Sequence, residues 1–395
     1  MKRTLLTLAL ISLLAAIMVV VALTIPMPLA TNSDFKVIYY TNQGLTLGID
    51  VYDHNAKISM INEVYGTSID RNFMPQFAYP PWYALSTFYL GFFTIQQAAV
   101  LWFEINLVML FLSVWFLTDG WKPIFRLLAL PAALFFFPVL GTLAIGQYDF
   151  PVLLGTSMLM YAFRYKHVTL TALGMVLLTF KPHIGGLILL AGLIYLFLRK
   201  VDYGKTALKY TVSTGVFLFV IGFLADSNWF VNYLGSLFSY RDLGHITTCS
   251  ECVNISVWLS RTLSGELSLS QAGAIGGVIL IVLLVVLFLN RKALIQAPSL
   301  LLVSALMVTI LASPYLYNYD FLLLLVPFTL LLNSTLERIG TALCYFGSTF
   351  ALMLFGRDGN NILLLASVIV AVLLYFRIKQ SSIDVPASAS YNSNN

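Results

Sequence analysis

The sequence predicts an all-α, polytopic membrane protein with about twelve transmembrane helices. Of its 395 residues, 59% are hydrophobic and only 10% are charged, whereas soluble domains carry about a quarter charged residues. Apolar runs of membrane-spanning length recur along the whole chain. Lysines and arginines occur in short clusters between these runs, which is typical of membrane orientation. Binding to nucleic acid would require a continuous basic face instead, so no nucleic-acid partner is expected.

The predicted spans begin at the N terminus. The run at 4–25 is about 21 residues long, which exceeds a signal-peptide core and indicates a retained helix. The run at 81–95 is short and opens at Pro80-Pro81, so we interpret it as re-entrant or interfacial; alternatively, Lys122 faces outward. The other predicted spans lie at 98–118, 123–142, 150–163, 168–180, 184–198, 206–225, 273–290, 299–313, 320–333, 339–355 and 361–376.

Positive charge predicts the orientation of these spans, because cytoplasmic loops are enriched in lysine and arginine. This rule leaves two long outside loops, at 26–80 and 226–272. We therefore expect a single transmembrane domain over 1–380 in the cell membrane, followed by a small, polar, disordered tail at 381–395. The clusters assigned to the cytoplasm are Lys2/Arg3, Lys122/Arg126, Arg164/Lys166, Arg199/Lys200, Arg291/Lys292, Arg338 and Arg377/Lys379.

The first outside loop contains a candidate general base. Asp34 follows the first predicted span, where partial desolvation would raise the pKa of its carboxyl group and make it a better base. Further along, Gly48 precedes Asp50, Tyr52 and Asp53 in the pattern G-x-D-x-Y-D. These three side chains are candidates for binding a sugar or acceptor, although the same residue types also build turns.

Polar residues interrupt the apolar runs at two further outside positions. Gln147 and Asp149 lie in Gly-Gln-Tyr-Asp and are candidates to bind sugar hydroxyls, while an aspartate there could equally cap the next helix. Tyr317 and Asp320 lie in a second polar and aromatic stretch at 313–320. We interpret it as a carbohydrate-binding segment, with an ordinary membrane-interface turn as the alternative.

Four cationic or titratable residues are candidates for binding a phosphate group. Lys181 and His183 interrupt an apolar run in TFKPHIGGLILL, and charged groups in spans are functional candidates; the alternative for Lys181 is a snorkelling side chain. Arg241 and Arg261 flank the second outside loop. A guanidinium group matches two phosphate oxygens at once, but a lipid headgroup contact explains either arginine equally well.

The remaining motifs limit the possible chemistry. Cys249 and Cys252 form a lone CxxC pair, and a tetrahedral zinc site would need four ligands. A local disulfide, free thiols and a redox pair remain open for these cysteines, while Cys344 lies in an apolar run. Neither a nucleotide-binding loop nor a metalloprotease or hydrolase motif is present, so no cofactor and no metal are expected.

Taken in order, these clusters resemble glycosyltransferase family 87, which contains polyprenyl-phosphate-mannose-dependent α-mannosyltransferases of the GT-C fold. The resemblance covers about 30–330. Some members carry a histidine-rich stretch after Ser-Pro, where this chain has Tyr315, Tyr319 and Asp320, which leaves the acceptor and the sugar open. The matching stretches are SDFKVIYY, GIDVYD, FAYPP, LWFEINL, GQYDFPVLL, TFKPHIGGLILL, CVNISVWLSRTL and SPYLYNYDFLLLLVPF.

The resemblance implies a GT-C-type bundle and an inverting transfer on the non-cytoplasmic face. The donor would be a polyprenyl-phosphate sugar, with mannose expected, and the acceptor a lipid or glycan; membrane lipids are the other partners. The family's essential aspartate falls on Asp34. Two other classes remain open, a transporter or flippase of lipid-linked glycans and a ligase-like or scaffold protein. Nearly charge-free spans with polar groups at one face favour the enzyme.

Overall fold

The computed structural model describes residues 34–66, 76–198, 202–242, 252–264, 269–313 and 315–383, together with Ala16. All regular secondary structure in these ranges is helical. The predicted first span at 4–25, apart from Ala16, lies outside the described residues. The last helix continues to Ile383, so it includes the first three residues of the predicted tail, and the rest of that tail lies outside the described residues.

The first predicted outside loop is largely helical. It contains α1 (Phe35–Thr46) and α2 (His54–Tyr65), and the Asp53 carboxylate caps α2 by accepting a hydrogen bond from the backbone N–H of Ala56. Helix α3 (Pro81–Thr87) begins at its proline and continues into a 3₁₀ helix, Phe88–Phe92. These two elements are too short to cross a bilayer, which agrees with a segment at 81–95 that does not span.

Helix α7 forms the centre of the bundle. It runs from Asp149 to Tyr165 and packs against α4 (Ile95–Leu117), α8 (Val168–Leu178), α9 (Pro182–Leu198) and α15 (Pro298–Ala312). Helices α7 and α8 approach closely where two glycines meet, because a Cβ on Gly155 would lie 2.8 Å from the carbonyl oxygen of Gly174. The active-site candidates before α7 and α9 are therefore held on a tightly packed core.

The predicted span at 123–142 is bent. It consists of α5 (Pro123–Phe135) and α6 (Phe137–Ile145), whose axes differ by 62° across Phe136. Pro138 lies in the first turn of α6, where its ring would clash with the carbonyl four residues earlier in a continuous helix. The bend directs the end of α6 toward the turn that carries Gln147.

The second half of the chain adds longer helices around this centre. Both α11 and α12 fall in the second predicted outside loop, which is therefore mainly helical where it is described. Cys252, just before α12, is disulfide-bonded, in agreement with the disulfide interpretation of the CxxC pair, while Cys344 is a buried free thiol. The elements are α10 (Asp202–Ile221), a 3₁₀ helix (Gly222–Leu224), α11 (Trp229–Asp242), α12 (Ile255–Ser264), α13 (Leu269–Leu289), α14 (Arg291–Gln296), α15, a 3₁₀ helix (Asn318–Leu324), α16 (Leu325–Leu330), α17 (Thr335–Phe355), a 3₁₀ helix (Gly356–Gly359) and α18 (Asn360–Ile383).

Four helical stretches of the described chain are long and apolar enough to cross a membrane: Ile95–Leu117, Asp202–Leu224, Gln271–Leu289 and Thr335–Ser381. The last comprises α17 and α18, which pack against each other, and the bent pair α5–α6 would make a fifth candidate. Shorter apolar helices fill the interior between them. The described ranges thus confirm an all-α structure with candidate membrane spans, but they do not confirm a count of twelve.

Candidate active site

A cavity of about 730 Å³ lies where eight separate segments of the chain meet. These segments are the start of α1, residues 76–79, helix α6, the turn before α7, the residues around the start of α9, helix α11, the stretch between α15 and α16, and the residues just before and at the start of α18. The polar side chains that line the cavity are Asp34, Gln76, Tyr79, Gln147, Tyr148, Lys181, His183, Ser313, Tyr315, Tyr317, Asn318, Tyr319, Asp320, Arg357 and Asn360.

The carboxylate of Asp34 is held in place by the turn before α7. Its Oδ2 accepts a hydrogen bond from Nε2 of Gln147, and its backbone carbonyl accepts one from the Tyr148 hydroxyl at 2.9 Å. Asp34 occupies the N-cap position of α1, but its carboxylate does not cap the helix. The side chain is therefore turned into the cavity and away from its own helix.

Burial raises the pKa of the Asp34 carboxyl group above its ordinary value. The hydrogen bond from Gln147 and the charges of Lys181 and Lys36 act in the opposite direction, but desolvation is the largest effect and the net shift is upward. A carboxylate with a raised pKa binds a proton more readily. The upward shift of its pKa makes Asp34 a candidate general base.

Gln147 connects Asp34 to an aromatic wall of the cavity. Its Nε2 also donates to the hydroxyl of Tyr319 at 3.0 Å, and the ring of Tyr319 stacks on that of Tyr317 with centroids 5.1 Å apart. The hydroxyl of Thr142, in α6, donates to the backbone carbonyl of Tyr319 at 3.0 Å. The bent helix α6 therefore helps to hold Tyr319 beside the Gln147 amide that binds Asp34.

Lys181, Asp149 and Asp320 form a buried ionic cluster beside the cavity. The ammonium group of Lys181 lies 2.8 Å from Oδ1 of Asp149 and 2.5 Å from Oδ1 of Asp320, and all three side chains are almost inaccessible to solvent. The backbone N–H of Tyr317 donates to the other oxygen of Asp320 at 2.7 Å. Burial by itself would lower the pKa of Lys181, but the two carboxylates raise it above its ordinary value, so the lysine is charged.

This cluster changes the interpretation of two sequence candidates, Lys181 and Asp149. The ammonium group of Lys181 is already paired with the carboxyl groups of Asp149 and Asp320, so it is not available to bind a ligand. Asp149 begins α7 but does not act as a helix cap, because its carboxylate binds Lys181 instead. Near them, His183 lines the same cavity, with its ring 5.9 Å from that of Tyr315.

Other sequence candidates lie away from the cavity. Asp53 caps α2, and Asp50 is exposed to solvent. Tyr52 does not line the cavity, but its hydroxyl donates to the carbonyl oxygen of Tyr79, a lining residue, at 2.7 Å. The structure does not bring these three side chains together around a ligand. The side chains of Arg241 and Arg261 lie outside the described residues.

Three polar residues that line the cavity, Gln76, Arg357 and Asn360, lie in none of the motifs that the sequence analysis singled out. Arg357 lies in the 3₁₀ helix between α17 and α18, where it is exposed, and Asn360 begins α18. A signal for Arg357 was present, because the turn lies on the opposite side of two predicted spans from the cytoplasmic Arg338 and Arg377. An arginine there departs from the charge pattern that orients the protein.

The described ranges contain no group of three His, Cys, Asp or Glu side chains arranged to hold a metal ion. Residues 77–314, more than half of the chain, match the family model of glycosyltransferase family 87. The chain belongs to glycosyltransferase family 87. No curated protein and no solved structure matches it.

Membership of family 87 confirms the resemblance found in the sequence and makes this chain a glycosyltransferase. It favours the enzyme over the transporter, flippase and scaffold alternatives. Within the matched region lie Gln147, Asp149 and Lys181, whereas Asp34, Asp320 and Arg357 lie outside it. The cavity of this family-87 protein therefore joins residues of the matched region to residues on both sides of it.

Proposed function

We propose that the protein transfers a sugar, with mannose as the expected one, from a polyprenyl-phosphate donor to a hydroxyl group of a lipid or glycan acceptor. Transfer inverts the anomeric centre and takes place on the non-cytoplasmic face. The observation that carries this proposal is the Asp34 carboxylate, which has a raised pKa, faces a cavity of about 730 Å³ and is oriented by Gln147. Nucleotide sugars are confined to the cytoplasm, so transfer on the other face requires a lipid-borne donor.

In the proposed reaction Asp34 accepts the proton of the acceptor hydroxyl as that oxygen attacks the anomeric carbon. The bond between the anomeric carbon and the phosphate oxygen breaks, and the polyprenyl phosphate leaves with the electron pair. A single carboxylate is sufficient, because an inverting displacement forms no covalent intermediate with the enzyme. General-base assistance of this kind contributes about 10²–10⁴-fold to the rate.

We propose Arg357 as the main ligand of the donor phosphate. It is the arginine that lines the cavity in the described part of the chain, and a guanidinium group binds two phosphate oxygens at once. His183 lines the same cavity and adds a hydrogen-bonding group. Lys181 supports the site indirectly, because it holds Asp320 and through it the backbone of Tyr317.

The sugar ring is proposed to lie against the aromatic wall. Tyr317 and Tyr319 present stacked rings, which suit the apolar face of a hexose, while Gln147 and Asn360 supply groups that hydrogen-bond hydroxyls. The apolar lining residues Val37, Phe137, Ile145 and Leu237 suit the first isoprene units of the donor. Together the polar and the apolar lining residues suit a ligand that has a polar end and an apolar end.

The test is an assay of membranes with a panel of radiolabelled prenyl-phosphate sugars, in which label is followed into lipid and glycan. We expect Asp34→Asn to reduce transfer at least about 10²-fold, because the amide cannot accept the proton. Asp53→Asn is the matched control: it makes the same change at a carboxylate that caps α2 and does not line the cavity. Full transfer by the Asp34→Asn protein would remove Asp34 from the mechanism.

A further inference from the structure

A second cavity, of about 640 Å³, lies at the other end of the helical bundle. Three helices connect the two cavities. The first cavity lies at the start of α7, the end of α15 and the start of α18. The second cavity lies at the other end of each helix, where it is lined by Arg164 in α7, Pro298 in α15 and Arg377 in α18. The two cavities therefore open at opposite ends of the same helices.

The length of α7 sets the separation of the two cavities. It has 17 residues, which corresponds to about 25 Å at the rise of an α-helix. This distance approaches the thickness of the hydrocarbon core of a bilayer. A donor headgroup bound at Asp34 cannot reach the second cavity, so the second cavity is a separate site.

The second cavity is positively charged. Arg164, Lys166 and Arg377 line it. The carboxylates that face them are Asp119, which also lines the cavity, and Glu337, which accepts two hydrogen bonds from Nη1 of Arg377. Three cations against two carboxylates leave one positive charge in excess. Since Arg377 is committed to Glu337, the excess belongs to Arg164 and Lys166.

Arg164 and Lys166 are available to a ligand. The contact between Arg164 and Asp119 is 3.5 Å long, and the Arg164 side chain is 62% exposed, so this ion pair is weak. Asp119 also accepts a hydrogen bond from the Tyr165 hydroxyl at 2.6 Å, so it keeps a partner if Arg164 turns to an anion. Lys166 is exposed and ends α7 in a left-handed backbone conformation, with φ of 55°.

A helix N-terminus faces the same cavity. Pro298 and Ser299 begin α15. Proline has no N–H, so the N–H of Ser299 is the first backbone donor of this helix that an anion could meet. The aromatic residues Trp121 and Tyr161 also line the cavity, and such side chains are typical of the level of lipid headgroups. Cations, a helix N-terminus and amphipathic rings thus surround one space large enough for a headgroup.

We propose that this second cavity binds a phosphate group, held by Lys166, Arg164 and the N-terminus of α15. The phosphate is that of an anionic lipid headgroup or of a free phosphate ion. The proposal does not depend on the glycosyl-transfer mechanism, because none of its residues lines the first cavity.

The test measures binding to the purified full-length protein in detergent, with three probes. These are a short-chain phosphatidic acid, a phosphatidylcholine with the same acyl chains, and inorganic phosphate. The variant is Lys166→Asn, which removes the charge but tolerates the left-handed backbone at this position. Lys379→Asn is the matched control, because Lys379 is an exposed lysine near the same end of α18 but does not line the cavity.

We expect phosphatidic acid to bind the wild-type and Lys379→Asn proteins equally and the Lys166→Asn protein about tenfold more weakly, as for loss of one charge-assisted hydrogen bond. Saturation by inorganic phosphate at similar concentrations identifies a free phosphate ion as the ligand, and preference for phosphatidic acid identifies a lipid. Equal binding of phosphatidylcholine, or equal loss in both variants, overturns the proposal. Glycosyl transfer by the Lys166→Asn protein is expected to be unchanged, which shows that the variant is folded.

Discussion

At the scale of single residues, we expect the hydrogen bond from Gln147 to Asp34 to set the pH dependence of transfer, if Asp34 is the general base proposed above. Burial raises the pKa of Asp34 and the Gln147 amide lowers it, so removal of the amide should raise the pKa further. A general base is inactive when protonated, so activity falls as pH drops through that pKa. We expect Gln147→Leu to move the acid limb of kcat/KM to higher pH. An acid limb at the wild-type position would show that this bond does not tune the base.

Arg357 offers a second test at this scale. If it binds the donor phosphate, Arg357→Ala should raise the KM for the prenyl-phosphate sugar by about tenfold or more, corresponding to a charge-assisted hydrogen bond. Arg357→Lys should recover part of this loss, since a lysine keeps the charge but not the two-point contact. Steady-state kinetics with varied donor concentration measures both effects. An unchanged KM for the donor in Arg357→Ala would exclude the arginine from the phosphate site.

At the scale of helices, the ionic cluster of Lys181, Asp149 and Asp320 joins the starts of α7 and α9 to the turn before α16. Removing one partner of a buried ion pair leaves an uncompensated charge and typically costs about 3–5 kcal/mol. We therefore expect Lys181→Met, which leaves two carboxylates facing each other, to lower thermal stability strongly. Thermal unfolding in detergent measures this, with Lys292→Met at an exposed position as the control. Equal stability of the two variants would contradict the structural role of the cluster.

Lys57, in α2, contacts α1 and gives this pair of helices its own pH dependence. The buried ammonium group donates to the hydroxyl of Thr41 in α1 at 3.4 Å and to the carbonyl of Val51 at 2.7 Å, and it lies 5.9 Å from the ring centroid of Phe77. Burial lowers the pKa of Lys57 from 10.5 to about 7, although Asp53 acts in the opposite direction. Between these values the unfolded chain binds the additional proton, so stability should rise with pH.

The measurement for Lys57 is thermal unfolding from about pH 7 to pH 9.5, below the range where tyrosines of the unfolded chain ionise. We expect the unfolding temperature to rise with pH in the wild-type protein and to rise less in Lys57→Met. Parallel curves for the two proteins would show that Lys57 does not titrate in this window.

At the scale of the whole molecule, composition and apolar periodicity were sufficient to predict an all-α membrane protein and most helix positions. They were not sufficient for the number of spans, because short interior helices such as α8 and bent ones such as α5–α6 resemble full spans in sequence. Of the residues predicted for the site, Asp34, Gln147, Lys181, His183, Tyr317 and Asp320 line one cavity, and their roles in transfer stay a prediction.

The remaining part of the site depends on tertiary contacts that no local pattern encodes. The pairing of Lys181 with two carboxylates joins residues that lie 32 and 139 positions away, and Arg357 reaches the cavity only because α17 and α18 form a hairpin. Conversely, Asp50 and Asp53 have the composition of a site but lie in a turn and a helix cap. The sequence does not distinguish an aspartate that binds a ligand from one that forms a turn or caps a helix, because the same carboxylate oxygens serve either purpose.

The two cavities make a prediction about sidedness. If the bundle crosses the membrane as proposed, single cysteines at Arg357→Cys and Lys166→Cys should react with an impermeant thiol reagent from opposite sides. The native Cys344 is buried, and its replacement by alanine gives the background for labelling. Labelling of intact cells should modify the cysteine at 357 and spare the one at 166. Modification of both from the same side would contradict the proposed topology.

Gly146 lies where the N-terminal segment that carries Asp34 packs against the turn that carries Gln147. Its φ is 67°, and a methyl group at this position would lie 2.8 Å from the Cβ of Phe35, the residue after Asp34. Any side chain here would therefore push the N-terminal segment away from the glutamine that follows. The one added carbon of Gly146→Ala would therefore move the Asp34 carboxylate out of hydrogen-bonding distance of the Gln147 amide. We expect the Gly146→Ala protein to fold but to lose sugar transfer.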